Sequence, residues 1–319
     1  MRVRRLAPIL LLAVLAAPLA AQNPECAALS NAQNARQNCD AAVDLTRAYH
    51  PIAGLLVSGG NPLLGSQSTM GGLGHFALSL RANAASVVIP ALSVDGSNNV
   101  AQSDKLLAPV PLVEGALGLF KGLRNGLLSL DLLASAQLVP NEKVVDEIRV
   151  DPDAPRVGPV SLGIGYGARI GLLGGDGALP GVAVSLMRRS VPQVGFGDLA
   201  AGDDLAADLN LHATSLRVVA ARRFAVLTVG AGAGWSKYTG DVTATFRNND
   251  TGLPETIALR LDQSRTVIFA DAGLDFKVLK IVGEIGHQSG RDQHLITNFQ
   301  GFDDTKGTTF YSAGLRFGF

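Results

Sequence analysis

The segment that most constrains this chain is its last one, where Tyr311, Ala313, Leu315, Phe317 and Phe319 are apolar while Ser312, Gly314, Arg316 and Gly318 between them are small or polar. A helix brings side chains back to one face every 3.6 residues, whereas a strand alternates them, so a period of two sorts these residues onto one apolar and one polar face of a strand.

The same alternation recurs upstream. Phe76, Leu78, Leu80, Ala82 and Ala84 alternate with Ser79, Arg81 and Asn83, and Val113, Gly115, Leu117 and Leu119 with Glu114, Ala116 and Gly118. Leu128, Leu130, Leu132, Ala134, Ala136 and Leu138 alternate with Ser129, Asp131, Ser135 and Gln137; Leu162, Ile164, Tyr166, Ala168, Ile170 and Leu172 alternate with Gly163, Gly165, Gly167 and Arg169. Further candidates run over 180–190, 207–221, 224–240, 256–276 and 279–290, which makes ten strands with the last, twelve being the alternative count. In the sixth, Asn210, His212 and Thr214 fall on the opposite phase from Ser215 and Arg217, which predicts a bulge there or a different strand boundary.

Composition supports an all-β chain that crosses lipid with strands. Hydrophobic residues make up 47% and charged residues 17%, yet beyond residue 21 no apolar run approaches the ~20 residues of a spanning helix. Alternation of lipid-facing and lumen-facing side chains produces an apolar chain without apolar runs.

At the other end, Arg2, Arg4 and Arg5 precede an apolar run from Leu6 to Leu19 and small residues Ala20 and Ala21, the pattern of an export signal cleaved after residue 21. A retained anchor is the alternative. Cleavage removes three of the 27 basic residues and none of the 27 acidic ones, so the remainder is slightly acidic and does not suit nucleic acid. Export to an oxidising compartment predicts that Cys26 and Cys39 form a disulfide. Twelve residues between two cysteines, without further ligands nearby, do not suit a metal, and nothing points to a cofactor.

The terminal Phe319 with alternate apolar residues Tyr311, Leu315 and Phe317 resembles the C-terminal signature of bacterial outer-membrane β-barrels. The resemblance implies a transmembrane antiparallel up-and-down barrel over 75–319, assembled by the barrel assembly machinery in contact with outer-membrane lipid and lipopolysaccharide, with its C-terminus on the periplasmic side. From that end, connections at 278–279, 221–223, 172–180 and 123–126 are short, and those at 291–306, 241–255, 191–206, 140–157 and 91–109 are long, the asymmetry of periplasmic turns and external loops. Phe76, Phe276, Phe317 and Phe319 near one end, with Trp235 and Tyr311 near the other, form two thin girdles.

Residues 22–74 do not alternate. Cys39 to Val57 has helical spacing at Ala42, Val43, Tyr49, Ile52, Leu55 and Leu56, interrupted at Pro51, and glycine-rich sequence follows. The expectation is a disulfide-clipped, partly helical segment plugging the periplasmic mouth, with a flexible periplasmic leader as the alternative.

With the apolar phase outward, the lumen receives Arg81, Glu114, Asp131, Arg169, Asp271, Glu284 and Arg316. These residues suit either a paired structural network or a polar conduit or binding cavity for a small solute, an apolar one included, with Gly163, Gly165, Gly167, Gly230, Gly232, Gly314 and Gly318 leaving space. A porin-like, non-enzymatic passive conduit or binding barrel is the leading expectation. A closed structural or adhesive barrel working through its long loops is the second. A third arises from His287 and Ser289 on one lipid-facing strand face, which resemble the His-x-Ser pair of outer-membrane lipid A deacylases; Gly290 replaces that family's usual Asn, and Asp292 would have to orient His287.

Overall fold

In the computed structural model, which describes residues 23–29, 33–95, 98–140, 148–175 and 179–318, ten antiparallel strands close into a barrel. They are β1 (Phe76–Pro90), β2 (Gln102–Phe120), β3 (Ser129–Pro140), β4 (Val160–Gly174), β5 (Gly181–Phe196), β6 (Leu205–Phe224), β7 (Leu227–Arg247), β8 (Pro254–Phe276), β9 (Leu279–Gln288) and β10 (Thr308–Gly318). Each pairs with the next, and β10 returns to β1 in the register Leu80 to Leu315 and Ala84 to Tyr311. Over the height where all ten strands run, closure satisfies the strand edges internally, the condition a sheet must meet inside hydrocarbon. The proposed export signal and Phe319 lie outside the described residues.

The outward phase is as the alternation predicts. Leu78, Leu80, Leu132, Ile164, Tyr166, Ile268, Ile281, Ile285, Leu315 and Phe317 are all exposed on the barrel wall. Along β7 the outward residues Leu227, Val229, Ala231, Ala233 and Trp235 are apolar, and Lys237, Thr239, Asp241, Thr243 and Thr245 beyond them are polar. The apolar part matches the ~10 residues that a tilted strand needs to cross lipid. Beyond it, β6, β7 and β8 continue as a wall whose two faces are both away from lipid.

The loops are therefore shorter, and the strands longer, than the sequence suggests. The connection expected over 241–255 contracts to 248–253, because threonine-rich strands carry their pairing past the apolar belt. The tight turns move to Ala225–Val226 and Lys277–Val278, and Ala225 and Lys277 take positive φ there, as two-residue turns between twisted strands require. The bulge expected in β6 belongs instead to β5, where register shifts between Val191 and Val194.

Residues 33–58 form one helix, α1 (Gln33–Ser58), inside the barrel. Its residues Ala41, Ala42, Val43, Ala48 and Leu55 are fully buried on several faces, as expected of a helix with sheet all around it. Pro51 does not interrupt it. A proline lacks the N–H that would bond the carbonyl four residues earlier, and here that carbonyl, Arg47 O, accepts a bond from Gln263 Nε2 at 3.2 Å instead.

The disulfide Cys26–Cys39 is formed, with Cα atoms 5.9 Å apart. It lies against Leu205, Phe246 and Leu259, at the barrel end bearing the long connections, which is the opposite mouth from the one expected for the clip. A two-residue parallel pairing of Asn99–Val100 with Asn298–Phe299 joins two loops over this cluster.

Gly54 lets α1 lie close against the wall, since an added Cβ would stand 2.3 Å from the Tyr238 ring. Alanine normally gains about 1 kcal/mol over glycine in a helix, but overpacking costs about 1–3 kcal/mol. Gly54→Ala is expected to lower barrel stability in a urea titration, and Tyr238→Leu in the same chain to recover part of the loss.

Candidate functional site

The interior is organised around the elbow where α1 ends. A helix leaves its last carbonyls without partners and carries partial negative charge at that end. Gly59, at φ 59°, turns the chain back with its N–H donating to Leu55 O at 2.8 Å, and the exposed carbonyls are then met by arginines from the wall. Arg217 on β6 donates to Gly59 O at 3.0 Å and Gly60 O at 3.2 Å; Arg81 on β1 donates to Asn61 O at 2.8 Å. Asn83 Nδ2 donates to Leu56 O at 2.7 Å.

Carboxylates take the complementary donors. Glu284 on β9 accepts the N–H groups of Gly60 and Asn61 at 3.1 and 2.6 Å, and Asp271 on β8 accepts Asn61 Nδ2 at 3.0 Å. Past the elbow the chain continues toward the turn end as coil, where Asp131 accepts Met70 N–H at 3.0 Å and holds Arg169 at 2.6 Å. Glu114 lies between Arg81 and Arg189, at 3.1 and 3.0 Å. Arg316 also faces inward, its Nη2 3.6 Å from Met70 Sδ.

All seven residues expected in the lumen thus face it, but they pair less with one another than with the plug. Two arginines of the same network, Arg189 and Arg217, were not among the expected set. Arg189 follows Arg188 directly, so the local pattern alone does not tell which of the two points inward; in β6 the phase conflict obscured Arg217. The glycines do not leave a void. A Cβ at Gly165 would meet Arg189 Cγ at 2.7 Å, one at Gly167 Met187 Cγ at 2.6 Å, and one at Gly314 Arg81 Cβ at 2.6 Å. Small residues on one strand accommodate large ones on the next. The cavity left beside Arg169 and Ser66 measures about 10 Å³, the size of a single water site.

At the loop end Asp44 ties the helix to the 289–307 connection. Its carboxylate accepts the N–H groups of Ile296 and Thr297, both at 2.8 Å, and Asn23 Nδ2 at 3.0 Å. Burial pushes its carboxyl above the usual range in spite of those bonds.

His287 and Ser289 stand where expected on the wall, but they are engaged separately. His287 Nδ1 lies 3.2 Å from Thr309 Oγ1, Ser289 Oγ accepts Thr266 N–H at 3.1 Å, and Asp292 bonds His294. Among the described residues no hydrogen bond joins the pair, and the serine extends the sheet edge.

No family model matches the chain, and no curated protein matches it. Solved structures do. The translocator domain of the autotransporter NalP from Neisseria meningitidis is similar at a TM-score of 0.41 and 11% identity over 86% of this chain and 97% of that one. Ail of Yersinia pestis is similar at 0.31 and 9%, over 77% and 99%, and the N-terminal barrel domain of Pseudomonas aeruginosa OprF at 0.27 and 17%, over 49% and 87%. All are bacterial outer-membrane β-barrels, and the likeness is one of fold.

Replacing Glu284 with Ala leaves the buried N–H groups of Gly60 and Asn61 without an acceptor, which costs about 1–3 kcal/mol per group. Amide exchange over residues 55–61 is expected to speed up by at least tenfold in that variant, while exchange in β6 and β7 stays slow.

Proposed function

We propose that this protein is an outer-membrane barrel with a closed lumen, which acts through the structure at its loop end as a binding or structural barrel, not as an open conduit. The observation that carries this reading is the occupied interior: α1 and the coil to Met70 extend from one mouth to the other and are bonded to the wall throughout. The extended wall of β6 to β8 and the clipped, loop-covered end of α1 supply a polar platform clear of the lipid belt.

Outer-membrane placement is supported by the apolar belt of single-strand height and by the short turns at the end where β10 finishes. On that placement the loop end faces outward, and the chain near Asn23 emerges there. A gated conduit is the second reading, favoured by one observation: the grip on residues 59–61 is made of hydrogen bonds to charged and amide groups, which water entering behind a withdrawing plug can replace.

Two measurements decide between them. In planar bilayers the full chain is expected to give no steady conductance, and the chain lacking residues 23–70 to conduct; steady conductance by the full chain favours the conduit. An epitope inserted between Gln22 and Asn23 is expected to be labelled on intact cells. Labelling only after permeabilisation overturns the orientation.

A further inference from the structure

β9 stops at Gln288, opposite Val267, while β8 continues to Pro254 paired only with β7. Above that point the other edge of β8 is open. Thr266 directs its N–H and C=O toward this edge, where both bond Ser289, so the residues in phase with it, Ser264, Asp262 and Arg260, direct theirs the same way. Between this edge and residues 291–294 lies a cavity of about 330 Å³, within the range of small-molecule sites.

Arginine dominates the cavity. Arg260, Arg265 and Arg291 line it, and none of the three forms an ion pair among the described residues. Arg265 is 4% exposed, and among the described residues the one hydrogen bond its side chain makes is from Nη1 to the carbonyl of adjacent Ser264 at 3.0 Å. A buried guanidinium in contact with no carboxylate is disfavoured unless an anion completes it; Asp304, the acid whose charge reaches Arg265, is already bonded to the Gln293 N–H at 2.6 Å. The two acids of the lining are already engaged: Asp262 holds Lys237 Nζ at 2.8 Å, and Asp292 accepts the N–H and ring nitrogen of His294. Gln263, whose Nε2 bonds the carbonyl freed by Pro51 and the Oε1 of Gln293, holds its own buried Oε1 at the same place, beside the His50 ring and with a lone pair to spare.

We propose that this cleft binds a phosphate-bearing small molecule. The planar forks of Arg265 and Arg291 grip the phosphate, Arg260 contributes from the strand edge, and Gln263 Oε1 accepts a hydroxyl from the attached group. Phosphorylated sugars carry both features. The proposal deepens the closed-barrel reading by naming a ligand class for its loop end, but binding itself does not depend on which side of the membrane that end faces.

The test is calorimetry on the full chain in neutral detergent at low salt, with inorganic pyrophosphate and glucose 1-phosphate as probes and glucose as the neutral control. Both anions are expected to bind, glucose not, and affinity to fall as salt rises. Arg265→Gln is expected to weaken binding at least tenfold, and Arg291→Gln, an exposed change that leaves the wall intact, several-fold. Arg222→Gln, at the opposite end of the barrel, leaves it unchanged. Absence of binding by both anions, or equal losses in Arg222→Gln and Arg291→Gln, overturns the proposal. Repeating the titration in nanodiscs distinguishes the source of the phosphate. Loss of probe binding only when anionic phospholipid is present identifies a lipid headgroup as the occupant, and unchanged binding identifies a soluble one. Failure of the surface-labelling experiment leaves these affinities untouched, so the two readings fail separately.

Discussion

Among the described residues five arginines are buried, and the four of the elbow network, Arg81, Arg169, Arg189 and Arg217, have to be compensated where water is scarce by a wall that provides too few carboxylates in contact with them. Glu114 serves two of them and Asp131 a third. Arg217 forms no ion pair among the described residues and relies on the carbonyls of Gly59 and Gly60 together with Ser236 and the backbone of β7. The plug is thereby part of the electrostatics of the wall. Without the elbow, the closed sheet would enclose unsatisfied cations; without the arginines, the end of α1 would expose unsatisfied carbonyls to a dry interior.

This reciprocity explains why a helix with a proline in it can lie inside a barrel. Several groups that the helix cannot satisfy itself are met from outside it: the Arg47 carbonyl by Gln263 at the Pro51 gap, the C-terminal turn by Asn83 and Arg217, and Asp44 by the 289–307 connection. The apolar contacts follow the same axis, from the disulfide cluster at the loop end, through Ile52 and Leu55 at mid-height, to Leu63 and Met187 near the turns. A filled lumen then moves the accessible chemistry to the rim. The open edge of β8 is where strand pairing ends before the barrel does.

Alternation alone determined much of the architecture, because lipid outside and polar matter inside impose opposite requirements on neighbouring residues of a strand. The ten strands, the outward phase of Leu80, Ile164 or Leu315, and the inward phase of Arg81 and Asp271 were all readable from it. So was the disulfide, from the scarcity of cysteine in an exported chain. The phase rule failed where it had nothing to sort: Arg188 and Arg189 are chemically alike, and beyond Trp235 both faces of β7 are away from lipid, so threonine-rich strand passed for loop.

What only the tertiary structure decided is what fills the barrel. Residues 23–70 read as helix followed by glycine-rich coil whether they lie beside a membrane, in one mouth, or through the lumen, since local sequence specifies the helix but not its neighbours. The plug partners of Glu284 and Arg217 are more than 150 residues away in the chain, and no local pattern encodes them. The open edge of β8 likewise depends on where β9 stops relative to it. That register is set by closure of the whole sheet, a property no single strand carries.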